Sequence, residues 1–311
     1  MEAHEIINWL LDGDISIVYQ TQRDLLNLSP KKLQILQNEI ENSGWGKKLF
    51  SLRNKDGNWA QGPYLPKWTS THYTLLELKD LAVSPENAKC KESISMLINR
   101  YCTRENGINY SVRDRKGDMC INGMMLGAAC YFKLEKEMLD NIISYLLENQ
   151  MKDDGWNCKC FTGAVHSSLH TTLCVLEGFA QYINNGYKSN SSLIKAKMNE
   201  GEEFLLRHKL FKSHRTGEII DFKMTMLSYP GRWRYDILRS LDYFRFAGKP
   251  YNERMDDALE IIIKKRRTDG LWPLQHKHTG LVHFDMEKPG KESRWNTLRA
   301  LRVLNHFNIS L

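Results

Sequence analysis

The 311-residue sequence lacks a long apolar run. No hydrophobic segment follows the acidic start Met1–Glu5, so we expect no secretory signal. Nowhere do 18 apolar residues stand together, as a membrane-spanning helix requires. The seven cysteines are an odd number, and without a secretory signal we expect thiols rather than a disulfide framework. Cytoplasm is therefore the compartment that we expect.

A concentrated patch of charge is also missing. The net charge is +7, but the Lys and Arg residues are scattered along the chain. The densest run, Lys264–Arg267, ends a predicted helix, where cations complement the helix dipole. We therefore expect no nucleic-acid partner. Alternating strand patterns are almost absent as well, which favours an all-α fold.

A turn recurs along the chain. An Asp-Gly or Asn-Gly pair with an aromatic residue just after it occurs at Asp56–Trp59, Asn106–Tyr110, Asp154–Trp156 and Asp269–Trp272. Gly accepts a positive φ and so permits a tight turn, and the aromatic side chain can pack back and pin it. Segments with helical periodicity lie on both sides of these turns. The repeating unit is therefore an outer helix, a turn, a polar loop and an inner helix.

Six positions share one register at the start of the inner helices, roughly fifty to sixty residues apart. They are Tyr19, His72, Cys120, His170, Tyr235 and Trp295. A period of this size is typical of repeat architectures. We predict an all-α fold, an α/α toroid of about six helical hairpins, as a single domain over residues 1–311. In a closed ring the six positions would face a common axis.

One of these inner helices begins with residues that suit a metal ion. Asp118 and Cys120 stand two apart on an extended segment, so they point the same way, and they enter a helix N-terminus, where anionic ligands are favoured. His170 follows one repeat later. Together they would supply three zinc ligands and leave a fourth position open, as catalytic sites do. The alternative is a capping Asp, a buried thiol and a core histidine.

The same residues carry a resemblance to a known family. Asp118-x-Cys120, followed by the segment His170–Phe179, resembles the zinc motif of protein prenyltransferase β-subunits. The Asp-Gly-x-Trp turns are similar to those of the wider prenyltransferase and squalene-cyclase superfamily, whose fold is an α/α toroid. The resemblance implies that zinc activates a substrate thiol. It also implies that basic residues just before the motif, here Arg113, Arg115 and Lys116, hold an isoprenoid diphosphate, which Arg pairs bidentately.

Departures from the family pattern are visible too. Ile121–Met124 stands where family members place aromatics that line the isoprenoid cavity. Protein prenyltransferases work beside a helical α-subunit, and the sequence identifies no such partner subunit. The Asp-rich motif with which squalene cyclases protonate an alkene lacks its first Asp at Arg254–Asp257, which argues against cyclisation by that route.

Further polar and aromatic residues open the other inner helices. They are Trp68, His72, Arg232, Arg234, Tyr235, Arg294 and Trp295. An aromatic wall with cations at its rim suits an apolar substrate with an anionic head, or a sugar that stacks on the rings. The alternative interpretation of these aromatics is core packing. Glu77 and Glu177 match in register, but their positions within helices favour a structural role.

A second sulfur-rich set competes with the first. Cys158 and Cys160, with His166, follow the third turn and would form a second zinc site or the true one. The leading hypothesis is a zinc-dependent, prenyltransferase-like enzyme that acts on an isoprenoid diphosphate. One alternative is a non-catalytic toroid that binds an isoprenoid, lipid or glycan. Another is a terpene-cyclase-like or a carbohydrate-active α/α-barrel enzyme. The carbohydrate-active enzyme would need two carboxylates, for which Asp118 and Asp236 are the credible residues.

Overall fold

The protein is mostly helical. The structure, a computed structural model, describes residues 2–111 and 116–310. Over these ranges it contains thirteen α-helices, which confirms the predicted all-α class, and 54% of the chain is helical. The helices are α1 (Ala3–Leu11), α2 (Ile15–Asp24), α3 (Pro30–Glu39), α4 (Gly44–Ser51), α5 (Thr71–Asp80), α6 (Ala88–Tyr101), α7 (Met119–Tyr131), α8 (Lys136–Glu148), α9 (Leu169–Asn184), α10 (Ser191–Arg207), α11 (Ile237–Phe246), α12 (Asp256–Lys264) and α13 (Arg294–His306). Two short antiparallel strands, β1 (Cys102–Thr103) and β2 (Gly107–Ile108), join α6 to α7.

The predicted order of outer helix, turn and inner helix occurs five times, from α4–α5 to α12–α13. Local caps set where the helices start. The Asp236 carboxylate accepts the Arg239 N–H at 2.8 Å and starts α11 at Ile237. None of the helices in the described ranges combines the length and apolarity that a bilayer crossing requires.

A tryptophan pins three of the turns to the helices on either side. Trp59, Trp156 and Trp272 are fully buried. Each indole N–H donates to a carbonyl of the preceding outer helix, at 2.7, 2.8 and 2.7 Å in Leu49, Leu146 and Ile262. Each Trp backbone N–H donates to a threonine hydroxyl of the following inner helix, at 3.0, 2.9 and 3.0 Å in Thr71, Thr172 and Thr297. The prediction that an aromatic residue pins these turns is confirmed.

The chain is divided into two compact units. Unit 1 contains Met1–Ser84, Asp221–Arg232 and Asp236–Leu311, and unit 2 contains Pro85–Ile220 and Trp233–Tyr235. The single domain and the closed ring of hairpins stay predictions from the repeat. Each unit contains one of the two polar sites described below.

In unit 2, α7 and α9 lie unusually close together. A Cβ on Gly123 would stand 2.5 Å from the Cys174 carbonyl oxygen, and one on Gly178 would stand 2.4 Å from the Gly123 oxygen. One turn further on, Gly127 faces Gly178. The contacts advance together along both chains, so the two helices run parallel with their starting ends side by side. Backbone-to-backbone packing of this kind requires glycine, since any side chain would force the helices apart.

In unit 1, a buried ion network joins three helices. Arg302 on α13 pairs with Asp24 on α2 at 2.9 Å and with Asp242 on α11. Burial alone would raise the pKa of the Asp242 carboxyl, but the charges of Arg302 and Arg245 hold it below its usual value. Because each charge has an opposite partner, the network places α13 against α2 and α11 without an unpaired buried ion.

Candidate metal centre and arginine cavity

Three potential metal ligands converge in unit 2. The side-chain ligand atoms of Asp118, Cys120 and Cys158 all lie within 4.8 Å of one another, and no other such group of three occurs in the described part of the chain. Asp118 and Cys120 come from the start of α7, and Cys158 comes from the loop after the third turn. Asp118 is exposed while Cys120 is buried, so the group opens to solvent on its carboxylate side.

The surroundings of Cys158 favour its ionised form. Its sulfur lies 3.2 Å from the Cys120 sulfur, accepts the Cys120 backbone N–H at 3.4 Å and lies 3.5 Å from the Thr171 hydroxyl. The hydrogen bond between the two sulfurs lowers the pKa of the Cys158 thiol and raises that of Cys120 well above its usual value. A thiolate at the N-terminus of α7 also complements the helix dipole.

This donor set fits zinc. Thiolate and carboxylate are ligands that zinc accepts, and three protein ligands leave the fourth position that catalytic sites keep open. Two sulfurs on one tetrahedral zinc lie about 3.8 Å apart at a Zn–S distance of about 2.3 Å. The two cysteine sulfurs are at 3.2 Å, so a displacement of about 0.3 Å each would accommodate the ion.

His170 lies outside this group. Its Nδ1 accepts the Tyr235 backbone N–H at 2.8 Å, and its ring packs edge-on against Trp233 with centroids 5.4 Å apart. In a neutral imidazole an accepting Nδ1 leaves the proton on Nε2, which then has no lone pair for a metal. From α9, the Thr171 hydroxyl lies 3.5 Å from the Cys158 sulfur. Of the three predicted ligands, the structure brings Asp118 and Cys120 together and does not bring His170 to them.

The rival set around the third turn is not brought together either. Cys158 joins Cys120, whereas Cys160 and His166 do not belong to the group of three. Cys160 begins a short 3₁₀ turn, and the His166 side chain is 86% exposed, 3.9 Å from Asp153. In the sequence, Cys158 is marked by its position two residues after Trp156. The hydrogen bonds of Trp156 fix this turn, and the chain that follows places the Cys158 sulfur beside Cys120 at the start of α7 and Thr171 at the start of α9.

The predicted diphosphate-binding cations divide into several environments. Arg113 and Arg115 lie outside the described residues. Lys116 donates to the Glu105 carbonyl and lies 5.7 Å from the Phe161 ring centroid. The Arg234 guanidinium lies 4.1 Å from the centroid of the neighbouring Trp233 ring, also in unit 2.

The predicted wall residue of unit 2 is Tyr235. It is buried, and its hydroxyl donates to the carbonyl of Leu210.

In unit 1 the central predicted residue is Arg232. Its guanidinium is buried, lies 4.5 Å from the Trp68 ring centroid and approaches the Glu77 carboxylate at 3.4 Å. Burial raises the pKa of Glu77 to about 7, although the charge of Arg232 opposes the shift. Burial therefore makes the Glu77 carboxyl easier to protonate than an exposed glutamate. Glu177 lies on α9 in unit 2, half-buried.

Other predicted wall residues of unit 1 pack within its core. His72 is fully buried between the rings of Tyr64 and Tyr73, and burial lowers its pKa to about 3, which keeps it neutral. Trp295 stacks on Tyr229 with centroids 4.4 Å apart. The Arg294 guanidinium donates to the Trp9 carbonyl at 3.0 Å and lies over the Trp9 ring.

Asp236 is occupied by structural contacts. It is fully buried, caps α11 and accepts the Ser228 hydroxyl at 3.0 Å. A pair of carboxylates for glycoside hydrolysis needs two groups that reach the substrate. The buried capping position of Asp236 disfavours it as one of them.

The chain matches no family model and no curated protein in comparisons with known proteins. The prenyltransferase resemblance therefore depends on Asp118-x-Cys120, the segment His170–Phe179 and the Asp-Gly-x-Trp turns alone.

Proposed function

We propose that this protein is a zinc-dependent, prenyltransferase-like transferase with Asp118, Cys120 and Cys158 as its metal ligands. The observation that carries the proposal is the convergence of two thiols and a carboxylate, from separate chain segments, within 4.8 Å. When bound, zinc would lower the pKa of a substrate thiol or water and hold it as a nucleophile.

The chain's own residues have distinct roles in this proposal. The Cys120 backbone N–H and the Thr171 hydroxyl, at 3.4 and 3.5 Å, hold the Cys158 sulfur in place. Exposed Asp118 leaves the approach to the group open. An isoprenoid diphosphate is the substrate class that the motif resemblance supports, and by that resemblance Arg113, Arg115 and Lys116, which precede the motif in sequence, would hold the diphosphate. The α/α toroid belongs to the same proposal, supported by the five repeats of outer helix, pinned turn and inner helix.

Metal content tests the centre directly. Protein purified without chelators should contain about one zinc per chain by mass spectrometry. Cys120→Ser should lose it, and Asp118→Asn, at an exposed position, should weaken it without unfolding the chain. Cys102→Ser is the matched control because Cys102 does not belong to the group of three. Absence of metal from the wild type, or its retention in Cys120→Ser, would overturn the proposed centre.

The prenyl donor needs a separate test. Calorimetric titration with farnesyl diphosphate should show binding that weakens in an Arg113→Ala, Arg115→Ala double variant. Arg104→Ala is a suitable control, because Arg104 is exposed and its ion pair to Glu148 is long, at 3.9 Å. Binding that is equal in the wild type and the double variant would remove the diphosphate role while leaving the metal centre intact.

A further inference from the structure

Arg232 has hydrogen-bonding capacity that the protein does not use. Its side chain is 5% exposed, and its only ion pair in the described ranges is the long Nη2 contact to Glu77. Nε and Nη1 are buried and have no partner in the protein. Buried donors without acceptors are costly, and more so on a charged group. The side chain therefore presents two unmet donors to whatever lies beside it.

The position of this guanidinium is held by its surroundings. Its guanidinium carbon lies over the Trp68 ring, and Arg239 donates to the Arg232 carbonyl at 2.7 Å. The backbone of Arg232 has φ +56°, in the left-handed region that non-glycine residues rarely adopt. Strain of this kind persists where the surrounding structure imposes it, and it concentrates at ligand-binding positions.

A small cavity adjoins Arg232. Its volume is about 20 Å³, and Glu77, Tyr229, His278 and Glu287 are among its lining residues. That volume holds about one water molecule, or the terminal atoms of a head group. Burial also raises the pKa of Glu287. Burial thus disfavours the ionised forms of Glu77 and Glu287, which lessens their competition with a bound anion for the charge of Arg232.

A long loop covers this cavity. Residues 265–293, between α12 and α13, form neither helix nor strand, and its residues 277–287 supply much of the lining. The Trp68 indole N–H donates to the Thr279 carbonyl at 2.6 Å, and His283 contacts the Thr74 hydroxyl at 2.9 Å. Lys277 and Asp285 pair across the loop. Loops of this length without regular structure are uncommon in compact proteins, and binding loops and lids are drawn from such regions of low local stability.

We propose that this cavity binds the carboxylate of a small acidic ligand, with Arg232 as the anchor and residues 277–287 as the cover. The unmet guanidinium donors select an anion, and a planar carboxylate of single charge suits the volume better than a phosphate. Glu77 can take up a proton when the ligand arrives, which removes its competition for Arg232. This proposal does not depend on the metal centre of unit 2.

A titration with simple anions tests the site. Formate, acetate and propionate are titrated at constant ionic strength, with Trp fluorescence and saturation-transfer NMR as readouts, beside inorganic phosphate and chloride. We expect a carboxylate to bind and its affinity to fall roughly tenfold or more in Arg232→Lys, which keeps the charge but loses the guanidinium donors. Arg267→Lys, at an exposed ion pair with Asp269, should leave the affinity unchanged.

A second variant keeps the test decisive if Arg232→Lys does not fold. Glu77→Gln removes the competing charge at nearly constant shape and should tighten carboxylate binding. No binding to the wild type, equal binding to Arg232→Lys, or no gain in Glu77→Gln would each contradict the proposal and assign the cavity to water. Arg232-dependent binding of phosphate in preference to carboxylates would show that the ligand class is wrong.

Discussion

The two polar sites differ in the groups that they offer to a ligand, which are electron-pair donors in one and N–H donors in the other. The unit 2 group of Asp118, Cys120 and Cys158 consists of electron-pair donors, so it suits a cation. The unit 1 cavity presents guanidinium N–H donors of Arg232 beside Glu77, so it suits an anion. The sign of the charge that each group would neutralise therefore indicates which class of ligand to test at each site.

The sites also differ in how far apart in sequence their residues are. Cys120 and Cys158 are 38 residues apart, within one repeat step. Glu77 and Arg232 are 155 residues apart, and the loop that covers them is further along still. The repeat pattern identifies single residues of both sites, such as Cys120 and Arg232, but it does not show that Arg232 meets Glu77.

The largest expected effect separates the two sulfur sets. Cys158→Ser should weaken zinc binding by about a thousandfold, because it removes a ligand, and loss of even a supporting contact costs 10–100-fold. Cys160→Ser should change the affinity little, since Cys160 lies outside the group. Competition with a chromophoric chelator measures both. Equal losses in the two variants would mean that the third turn forms the rival site.

The packing of α7 against α9 beside the unit 2 site can be disrupted by a substitution that changes none of the proposed metal-ligating residues. Gly178→Ala should destabilise the protein by about 3 kcal/mol, because the new Cβ would stand 2.4 Å from the backbone of α7. Gly127→Ala should be neutral or stabilising, since its Cβ has an ordinary contact at 3.5 Å and Ala favours helix. Urea unfolding gives both values. Carboxylate binding in unit 1 should be unchanged in Gly127→Ala. If both variants lowered the free energy of unfolding by a similar amount, the close contact of Gly178 with α7 would be contradicted.

The unit 1 site should show itself in the pH dependence of stability. The pKa of Glu77 is raised to about 7 in the folded protein. Its protonated form therefore stabilises the fold fully below the pKa that Glu77 has in the unfolded chain, and this stabilisation is lost as the pH rises through 7. Between pH 5 and pH 7 this amounts to about 2 kcal/mol. Glu77→Gln cannot ionise and should flatten that slope in urea titrations. An unchanged slope would show that Glu77 is not the group responsible.

The smallest effect concerns His170. His170→Ala should lower zinc affinity less than about tenfold, because the ring contacts Tyr235 and Trp233 rather than the metal ligands. Thr171→Val is the companion variant, since it removes the hydroxyl beside the Cys158 sulfur. A loss in His170→Ala as large as in Cys120→Ser would restore His170 to the ligand set.

Much of the secondary structure could be predicted because it depends on local patterns. Helical periodicity and the Asp-Gly-x-Trp turns identify the helices and their order, since the turn residues and the pinning tryptophan lie within one repeat. Exact helix starts do not follow from the periodicity, as at α11, where the Asp236 cap sets the first residue.

The candidate metal site could be predicted in part. Asp118 and Cys120 are recognisable because they lie two residues apart at a helix start. The third ligand depends on where neighbouring chain segments meet. The close contact of Gly123 with Cys174 and of Gly127 with Gly178 brings Thr171, not His170, to the sulfur group. A shift of one residue turns a helical side chain by about 100° and replaces one neighbour by another.

The sequence by itself determined the all-α class, the repeated unit of outer helix, turn and inner helix, and two of the three proposed metal ligands. These follow from periodicity and short spacing. Only the tertiary structure decided that Cys158 completes the group and that Arg232 lies buried with two unmet donors beside Glu77. Both outcomes depend on contacts between residues distant in sequence, and such contacts follow from packing rather than from any local pattern.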